Sequence, residues 1–256
     1  MKIVRYRDAA SNEARYGILE DQTVYAADGD VFSGQTKRDA VGSLDEVTLL
    51  APIQPGKIVC VGLNYAAHVT ENDPTRTVPD EPVLFMKPQS ALIAHGEPIV
   101  IANPENRTDH EAELVIVMGR EARHVSEADA ASYVLGYTAG NDVSDRVQQQ
   151  KDGQWVRAKG YDTYCPLGPC IVTDLDVSDI RVESRLNGEE KQSQTTASMI
   201  FNPHFLISYI SRVMTLHPGD VIMTGTPEGV GPMQPGDTIE VEVGGVGVLS
   251  NPVTAR

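Results

Sequence analysis

The sequence predicts a mostly β, α+β fold, and three observations carry that prediction. Short alternating or β-branched runs recur along the whole chain, as half-buried and buried strands require. Twenty-two glycines and sixteen prolines supply the turns that many short strands need. Only residues 196–214 show an extended helical period, with Phe205, Leu206, Tyr209, Ile210 and Val213 at helical spacing after Pro203.

In chain order, residues 1–7, 15–20 and 22–26 alternate as strands, and 29–35 read as a loop. The Pro/Gly break at 51–56 marks a boundary between a small β-rich domain, 1–50, and a larger one, 51–256. Residues 57–62 form a buried strand. Asn64 is placed to cap a short helix, on which His68 and Glu71 share a face. A carboxylate beside an imidazole fixes its tautomer and raises its basicity, as a water-activating base needs, although a surface pair has the same spacing. Residues 73–82 are polar and Pro-rich and suit a mobile lid. Strands are expected at 82–88 and 99–101, and a Ser-capped helix at 126–134. The strand 134–144 carries Gly136 and Gly140, where another backbone or a ligand comes close. A polar turn or short helix follows through residue 149. Lys159 stands between Ala158 and Gly160, small neighbours that leave room for a ligand. Two strands lie within 170–186, and Asn187-Gly188 marks a hairpin. Pro218-Gly219-Asp220 and Pro235-Gly236-Asp237 are turns that each precede a strand. The loop Thr224-Gly225-Thr226-Pro227 can offer N–H groups and a hydroxyl to a carboxylate.

Composition limits the function. A formal charge of −15 argues against nucleic acid and anionic membranes as partners. No apolar run approaches the ~20 residues of a membrane helix, and residues 1–6 alternate as a strand rather than as a secretion signal. Three sparsely spaced cysteines, Cys60, Cys165 and Cys170, suit a reducing cytoplasm.

The chemistry centres on Asp109-His110-Glu111-Ala112-Glu113-Leu114-Val115-Ile116-Val117-Met118-Gly119, a buried strand by its apolar second half. Alternation puts Glu111 and Glu113 on one face, about 6.6 Å apart at Cα, and Ala112, Leu114 and Ile116 on the other. Like charges held that close need neutralising, by a shared proton, an arginine or a divalent cation, unless the strand emerges into solvent at Glu111. Asp142, at the end of the strand 134–144, is a third candidate oxygen ligand. Carboxylate oxygens are the ligands that Mg²⁺ and Mn²⁺ prefer.

Taken together, Gly62-Leu63-Asn64-Tyr65 with His68, Pro82-Val83-Leu84-Phe85-Met86-Lys87-Pro88, His110-Glu111-Ala112-Glu113-Leu114, Gly140-Asn141-Asp142-Val143-Ser144, Ala158-Lys159-Gly160 with Asp162, and Thr224-Gly225-Thr226-Pro227 resemble the motifs of the fumarylacetoacetate hydrolase family. The resemblance covers about residues 52–252. It implies a mixed sheet rolled into a barrel-like core, a homodimer, and a site in which Glu111, Glu113 and Asp142 hold Mg²⁺ or Mn²⁺. It implies Lys159 as the site lysine, His68 and Glu71 as the lid dyad, and Gln149 and Thr226 at substrate oxygens. The short N-terminal segment is similar to that of bacterial acylpyruvate hydrolases, oxaloacetate decarboxylases and the decarboxylase/isomerases of aromatic breakdown. Two positions depart from common family usage, Asp145 after Ser144 and Ala67 before His68.

These residues suggest an anionic 2-oxo acid bound in a positive pocket made by the metal, Lys159, Lys87 and Arg146. The metal acts as a Lewis acid for the enolate formed when a bond to C3 breaks. With a carbonyl at C4, His68 activates water, Lys159 stabilises developing charge, and the C3–C4 bond of an acylpyruvate breaks to give pyruvate and a carboxylic acid. With a carboxylate at C4, as in oxaloacetate, the same site drives decarboxylation, and an isomerase shares the same electrophile. A non-catalytic, metal-dependent binder of small oxo acids is the reading from another class.

Overall fold

The computed structural model describes residues 1–71 and 74–255. The fold is mostly β, with 45% strand and 14% helix. The largest sheet runs in the order Gly34–Ser43, Thr23–Asp30, Ala14–Glu20, Lys2–Arg7, Cys165–Val172, Val134–Asn141, Ala112–Met118, Val221–Met223, Ile58–Gly62, Val83–Lys87. It is mixed: most pairs are antiparallel, but Val221–Met223 and Ile58–Gly62 are parallel. A five-stranded sheet contains Arg181–Leu186 and Thr238–Val243, and a three-stranded one joins Ser144–Asp145, Thr108–His110 and Gly231–Pro232. Both longer sheets are open paths, so the barrel-like roll is not a closed barrel.

The acidic strand links these layers. Leu114, Ile116 and Met118 pack with Val241, Val243 and Leu249 in one cluster, while Val115 and Val117 face Ile58, Cys60, Leu167 and Met223 in another. Both faces are therefore buried, which explains the unbroken apolar run after Glu113. The expected single strand breaks at Glu111: Thr108–His110 belongs to the three-stranded sheet and Ala112–Met118 to the large one.

The N-terminal strands extend the large sheet, because Lys2–Arg7 pairs with Cys165–Val172, and Val4, Tyr6 and Val24 enter the first cluster. Residues 29–35 are not a plain loop, since Thr23–Asp30 and Gly34–Ser43 form a hairpin through them. The Asn187-Gly188 hairpin is present, with φ of 54° and 80°, values that favour these two residue types. The expected helix at 126–134 reduces to a 3-10 turn, Ala130–Tyr133. Ser126 Oγ accepts the Asp129 N–H at 3.2 Å and so closes a local turn instead of starting a longer helix. The long helix is Pro203–Val213, capped by Asn202, which accepts the Phe205 N–H.

Asn64 does not cap the short helix Ala66–Thr70, which begins after Tyr65 without a side-chain cap. Its amide instead donates to the carbonyls of Phe201 and Thr224 and accepts the Phe201 N–H. It thereby ties the loop after Val221–Met223 to the segment below the site. Gly225 sits in this loop at φ +95°, where an added Cβ would lie 2.7 Å from Asn64 Cβ. Residues 74–82 are irregular and mostly exposed, and the first expected lid residue, Asp73, lies outside the described residues. Among the described residues no helix is long and apolar enough to cross a membrane.

Candidate active site

Glu111, Glu113 and Asp142 meet at one point, their ligand atoms all within 4.8 Å of one another. Backbone register brings them there. Ala112 pairs with Asn141 and Glu113 with Gly140, so the end of one strand carries Asp142 back over the start of the other. Asn141 Oδ1 accepts the Glu111 N–H at 2.9 Å, and the Glu111 carbonyl accepts the Asp142 N–H at 2.9 Å. These two bonds hold the backbone where the strand changes sheets. All three acids are buried, so the solvated-mouth alternative does not apply.

Basic groups surround the triad. Lys159 Nζ bridges Glu111 Oε2 at 2.9 Å and Asp142 Oδ2 at 2.7 Å. Arg146 lies 2.7 Å from Glu111 Oε1 and binds Asp109 at 2.8 Å and the Gln149 side-chain oxygen at 2.9 Å. Burial disfavours the charge on Glu111, but Lys159 and Arg146 outweigh it and hold its carboxyl well below the usual carboxylate range. Glu113 goes the other way: burial, then Asp142 and Glu111, raise it well above that range. Burial alone would lower Lys159, yet Asp142 and Glu111 raise it, so the ammonium stays charged.

The donor set fits a hard divalent cation. All three ligands are oxygen donors, and one of those oxygens lacks a proton to accept. Lys87 Nζ lies 2.7 Å from Asp142 Oδ1, but its three protons go to the carbonyls of Val143, Lys159 and Tyr164. Asp142 Oδ1 is thus buried at ion-pair distance from the Lys87 ammonium but without a hydrogen bond from it, an oxygen with a lone pair still open to a cation.

Above the triad lies a narrow pocket lined by Gly62, His68, Glu111, Arg146, Gln149, Trp155, Lys159 and Thr226. It adjoins a cavity of about 420 Å³ whose walls include Arg76, Arg107 and Gln150. His68 Nδ1 is 3.0 Å from Glu71 Oε2, and Glu71 Oε1 accepts the Gly229 N–H at 2.7 Å. Both oxygens of Glu71 are thereby committed, and His68 Nε2 has no protein partner among the described residues. The loop from Thr224 serves the site twice more: the Gly225 N–H donates to Glu113 Oε2 at 2.8 Å, and Thr226 forms part of the pocket wall.

The structure thus brings together His68, Glu71, Lys159, Arg146, Gln149, Thr226 and the three carboxylates. Lys87 is apart. It lies behind Asp142, fully buried, and lines neither cavity, because its reach is spent on three carbonyls. The small neighbours of Lys159 make room for packing rather than for a ligand, since a Cβ on Gly160 would lie 2.5 Å from the Val156 carbonyl. Asp145 caps the helix Arg146–Lys151 and accepts from Asn103 and Asn106, which places it in the scaffold. Sequence reasoning missed the role of Asp109, which anchors both Arg107 and Arg146, and it missed Gln192, which holds Thr226. Asp109 had a signal, as an acid two residues before the pair; Gln192 had none.

A mixed β-fold with a buried acidic triad that could hold a metal ion, a buried lysine bridging two of its acids and a nearby imidazole–carboxylate pair defines an enzyme-like pocket. Comparison with known proteins places it further. Residues 57–254 match the model of the fumarylacetoacetate (FAA) hydrolase C-terminal family, and residues 1–52 match the Rv2993c-like N-terminal family. The chain belongs to the fumarylacetoacetate hydrolase family. It is 38% identical over 220 residues to the mitochondrial oxaloacetate tautomerase Fahd2a of Rattus norvegicus, covering 81% of this chain and 70% of that one. The crystal structure of 5-carboxymethyl-2-hydroxymuconate delta-isomerase from Mycobacterium smegmatis superposes with a TM-score of 0.91 at 43% identity, covering 100% of both chains. Fumarylacetoacetate hydrolase from Exiguobacterium antarcticum superposes with a TM-score of 0.88 at 36% identity, again over 100% of both. The family's members thus include isomerases, hydrolases and a tautomerase.

Proposed function

We propose that this chain is a divalent-metal-dependent hydrolase of acylpyruvate-type 2,4-dioxo acids, cleaving the C3–C4 bond to give pyruvate and a carboxylic acid. The observation that carries this reading is the His68–Glu71 pair, tied to Gly229, with His68 lining the same pocket as Glu111 of the triad and Lys159. Glu111, Glu113 and Asp142 would hold Mg²⁺ or Mn²⁺, which supplies Lewis-acid polarisation of the 2-oxo group and a sink for the electrons released at C3.

The chain's own groups perform the remaining work. Glu71 accepts the Nδ1 proton of His68, which leaves Nε2 as the basic nitrogen. That nitrogen removes a proton from water as the water oxygen bonds to C4. Lys159 spends two N–H groups on Glu111 and Asp142, and its third is available to the oxyanion that develops. The C3–C4 bond then breaks, its electron pair passes to C3, and His68 returns the proton there. Arg146, Gln149 and the Thr226 hydroxyl take the substrate's acid oxygens. Together with the metal, Lys159 and Arg146 make a locally positive pocket in a chain of net charge −15. Cytoplasmic placement and a homodimer belong to the same proposal.

A second reading is proton transfer at C3, a keto–enol tautomerisation or isomerisation of a 2-oxo diacid. The names of the tautomerase relative and the isomerase structure favour it. It needs the same base and electrophile but no water, and oxaloacetate decarboxylation draws on the same site. Turnover of acetylpyruvate, fumarylpyruvate and oxaloacetate, with Mg²⁺ and with chelator, tests these readings together. Chelator-sensitive release of pyruvate from acylpyruvates supports hydrolysis. Enol–keto conversion of oxaloacetate without acylpyruvate cleavage moves the assignment to the tautomerase. Metal binding with every substrate untouched leaves a non-catalytic binder.

A further inference from the structure

We propose that Gln192 is a positioning residue which makes the Thr226 hydroxyl an obligate hydrogen-bond donor to an acid oxygen in the pocket. This rests on the reading of the pocket as a 2-oxo acid site. Gln192 lies on the strand Glu189–Thr195 of the five-stranded sheet and is buried. Two backbone groups of fixed role settle which way its amide points. The Ala112 N–H can only donate, and it lies 2.9 Å from Oε1. The Pro227 carbonyl can only accept, and it lies 2.8 Å from Nε2. Ser184 Oγ at 3.0 Å and His110 Nδ1 at 3.2 Å also face Oε1, so the proton of each bond belongs to the serine and the histidine.

The amide's second N–H goes to Thr226 Oγ1 at 2.7 Å. An amide nitrogen has nothing to accept with, so the threonine oxygen accepts there. Its own proton is left over, and the hydroxyl has no other hydrogen-bond partner among the described residues. Thr226 forms the pocket wall beside Glu111 and Lys159. Donor direction therefore runs one way, from His110 and Ser184 through Gln192 to Thr226 and into the pocket. Such a wall selects an anionic or carbonyl oxygen and rejects an amide or hydroxyl proton at the same place.

Gln192→Glu tests the direction. The carboxylate keeps the shape and still accepts from Ala112, but it has no proton for the Pro227 carbonyl or for Thr226. Beside Thr226 it therefore accepts from the hydroxyl, and the lost Pro227 bond is common to the wild-type and Thr226→Val backgrounds. The hydroxyl proton then turns away from the pocket. With Mg²⁺-loaded protein, the dissociation constant of oxalate, read by calorimetry, should rise about tenfold. KM for a turned-over substrate should rise while kcat changes less. In a Thr226→Val background the same Gln192→Glu change should alter oxalate binding less than about twofold, because no hydroxyl remains to be turned. Unchanged oxalate binding in Gln192→Glu, an equal loss in both backgrounds, or no oxalate binding by the wild type overturns the inference. If Gln192→Glu does not fold, a crystal structure of the wild type with oxalate decides. Thr226 Oγ1 should lie within about 3.2 Å of a ligand oxygen while keeping Gln192, and absence of that contact overturns the inference. A wild type that binds oxalate and shows the coupling, but acts on no 2-oxo acid, removes the proposed reaction and leaves this inference standing.

Discussion

Glu111, at the break between two strands, and Glu113, two residues on, lie in opposite electrostatic surroundings. Glu111 is held ionised by Lys159 and Arg146. Glu113, buried and facing Asp142 and Glu111, with only the Gly225 N–H bonded to it among the described residues, is pushed toward its neutral form. Glu111→Gln removes the counter-charge of a buried lysine and arginine. Breaking a buried pair in this way costs about 3–5 kcal/mol. Glu113→Gln replaces a group whose charge the fold already disfavours, and the amide oxygen still accepts from Gly225, so the metal-free fold should change by less than about 1 kcal/mol. Metal affinity should respond differently. Loss of either carboxylate should weaken Mn²⁺ binding by at least about 100-fold, or about 2.7 kcal/mol. Urea unfolding after chelation, paired with Mn²⁺ calorimetry, separates the two quantities. The pH dependence gives a second handle. The carboxyl of Glu113 is raised in the fold, so its contribution is complete below the unfolded pKa and is lost as pH rises through the folded value. Metal-free wild type should therefore lose stability over that rise, and Glu113→Gln should not. Glu111 behaves oppositely, its contribution being present above the unfolded pKa and lost as pH falls toward its depressed folded value. Equal destabilisation by the two glutamines, or an unchanged pH slope in Glu113→Gln, would refute the assignment.

Three further outcomes follow from the geometry. His68→Ala should lower acylpyruvate cleavage about 10²–10⁴-fold and leave Mn²⁺ binding within about twofold, as kinetics and calorimetry on one preparation would show. Gly225→Ala meets both a left-handed backbone and Asn64 Cβ at 2.7 Å, so urea unfolding should show a loss above about 1 kcal/mol; a neutral result would mean that the loop sits elsewhere. Asp145→Ala removes the cap of Arg146–Lys151, which should cost about 1 kcal/mol or more, and the displaced Arg146 should appear as a raised KM.

Local pattern made much of this legible. Alternation placed Glu111 and Glu113 on one face, and the β-branched run after them marked a strand buried on both sides. Three-residue spacing on a short helix put His68 and Glu71 on one face, but a surface pair has the same spacing, and the dyad role came from the resemblance. What the sequence withheld was register and direction. That Ala112 pairs with Asn141, bringing Asp142 to the two glutamates, depends on sheet pairing that no local pattern encodes. Lys87 looked like a pocket residue because a lysine ending an apolar strand is conspicuous, yet three carbonyls from distant segments claim its protons. Asn64 had the right type and position for a helix cap, but a longer-range set of backbone partners outcompeted that use. Gln192 stands in Glu-Glu-Lys-Gln-Ser-Gln-Thr, which reads as a solvated strand. Only its pairing turns that one side chain inward.

The most direct test of the account is a crystal structure of the protein soaked with Mn²⁺, with anomalous scattering used to find the ion. One ion should be bonded by an oxygen from each of Glu111, Glu113 and Asp142 at about 2.0–2.2 Å. An ion bound elsewhere, or a triad that stays bridged by Lys159 alone at saturating metal, would contradict it.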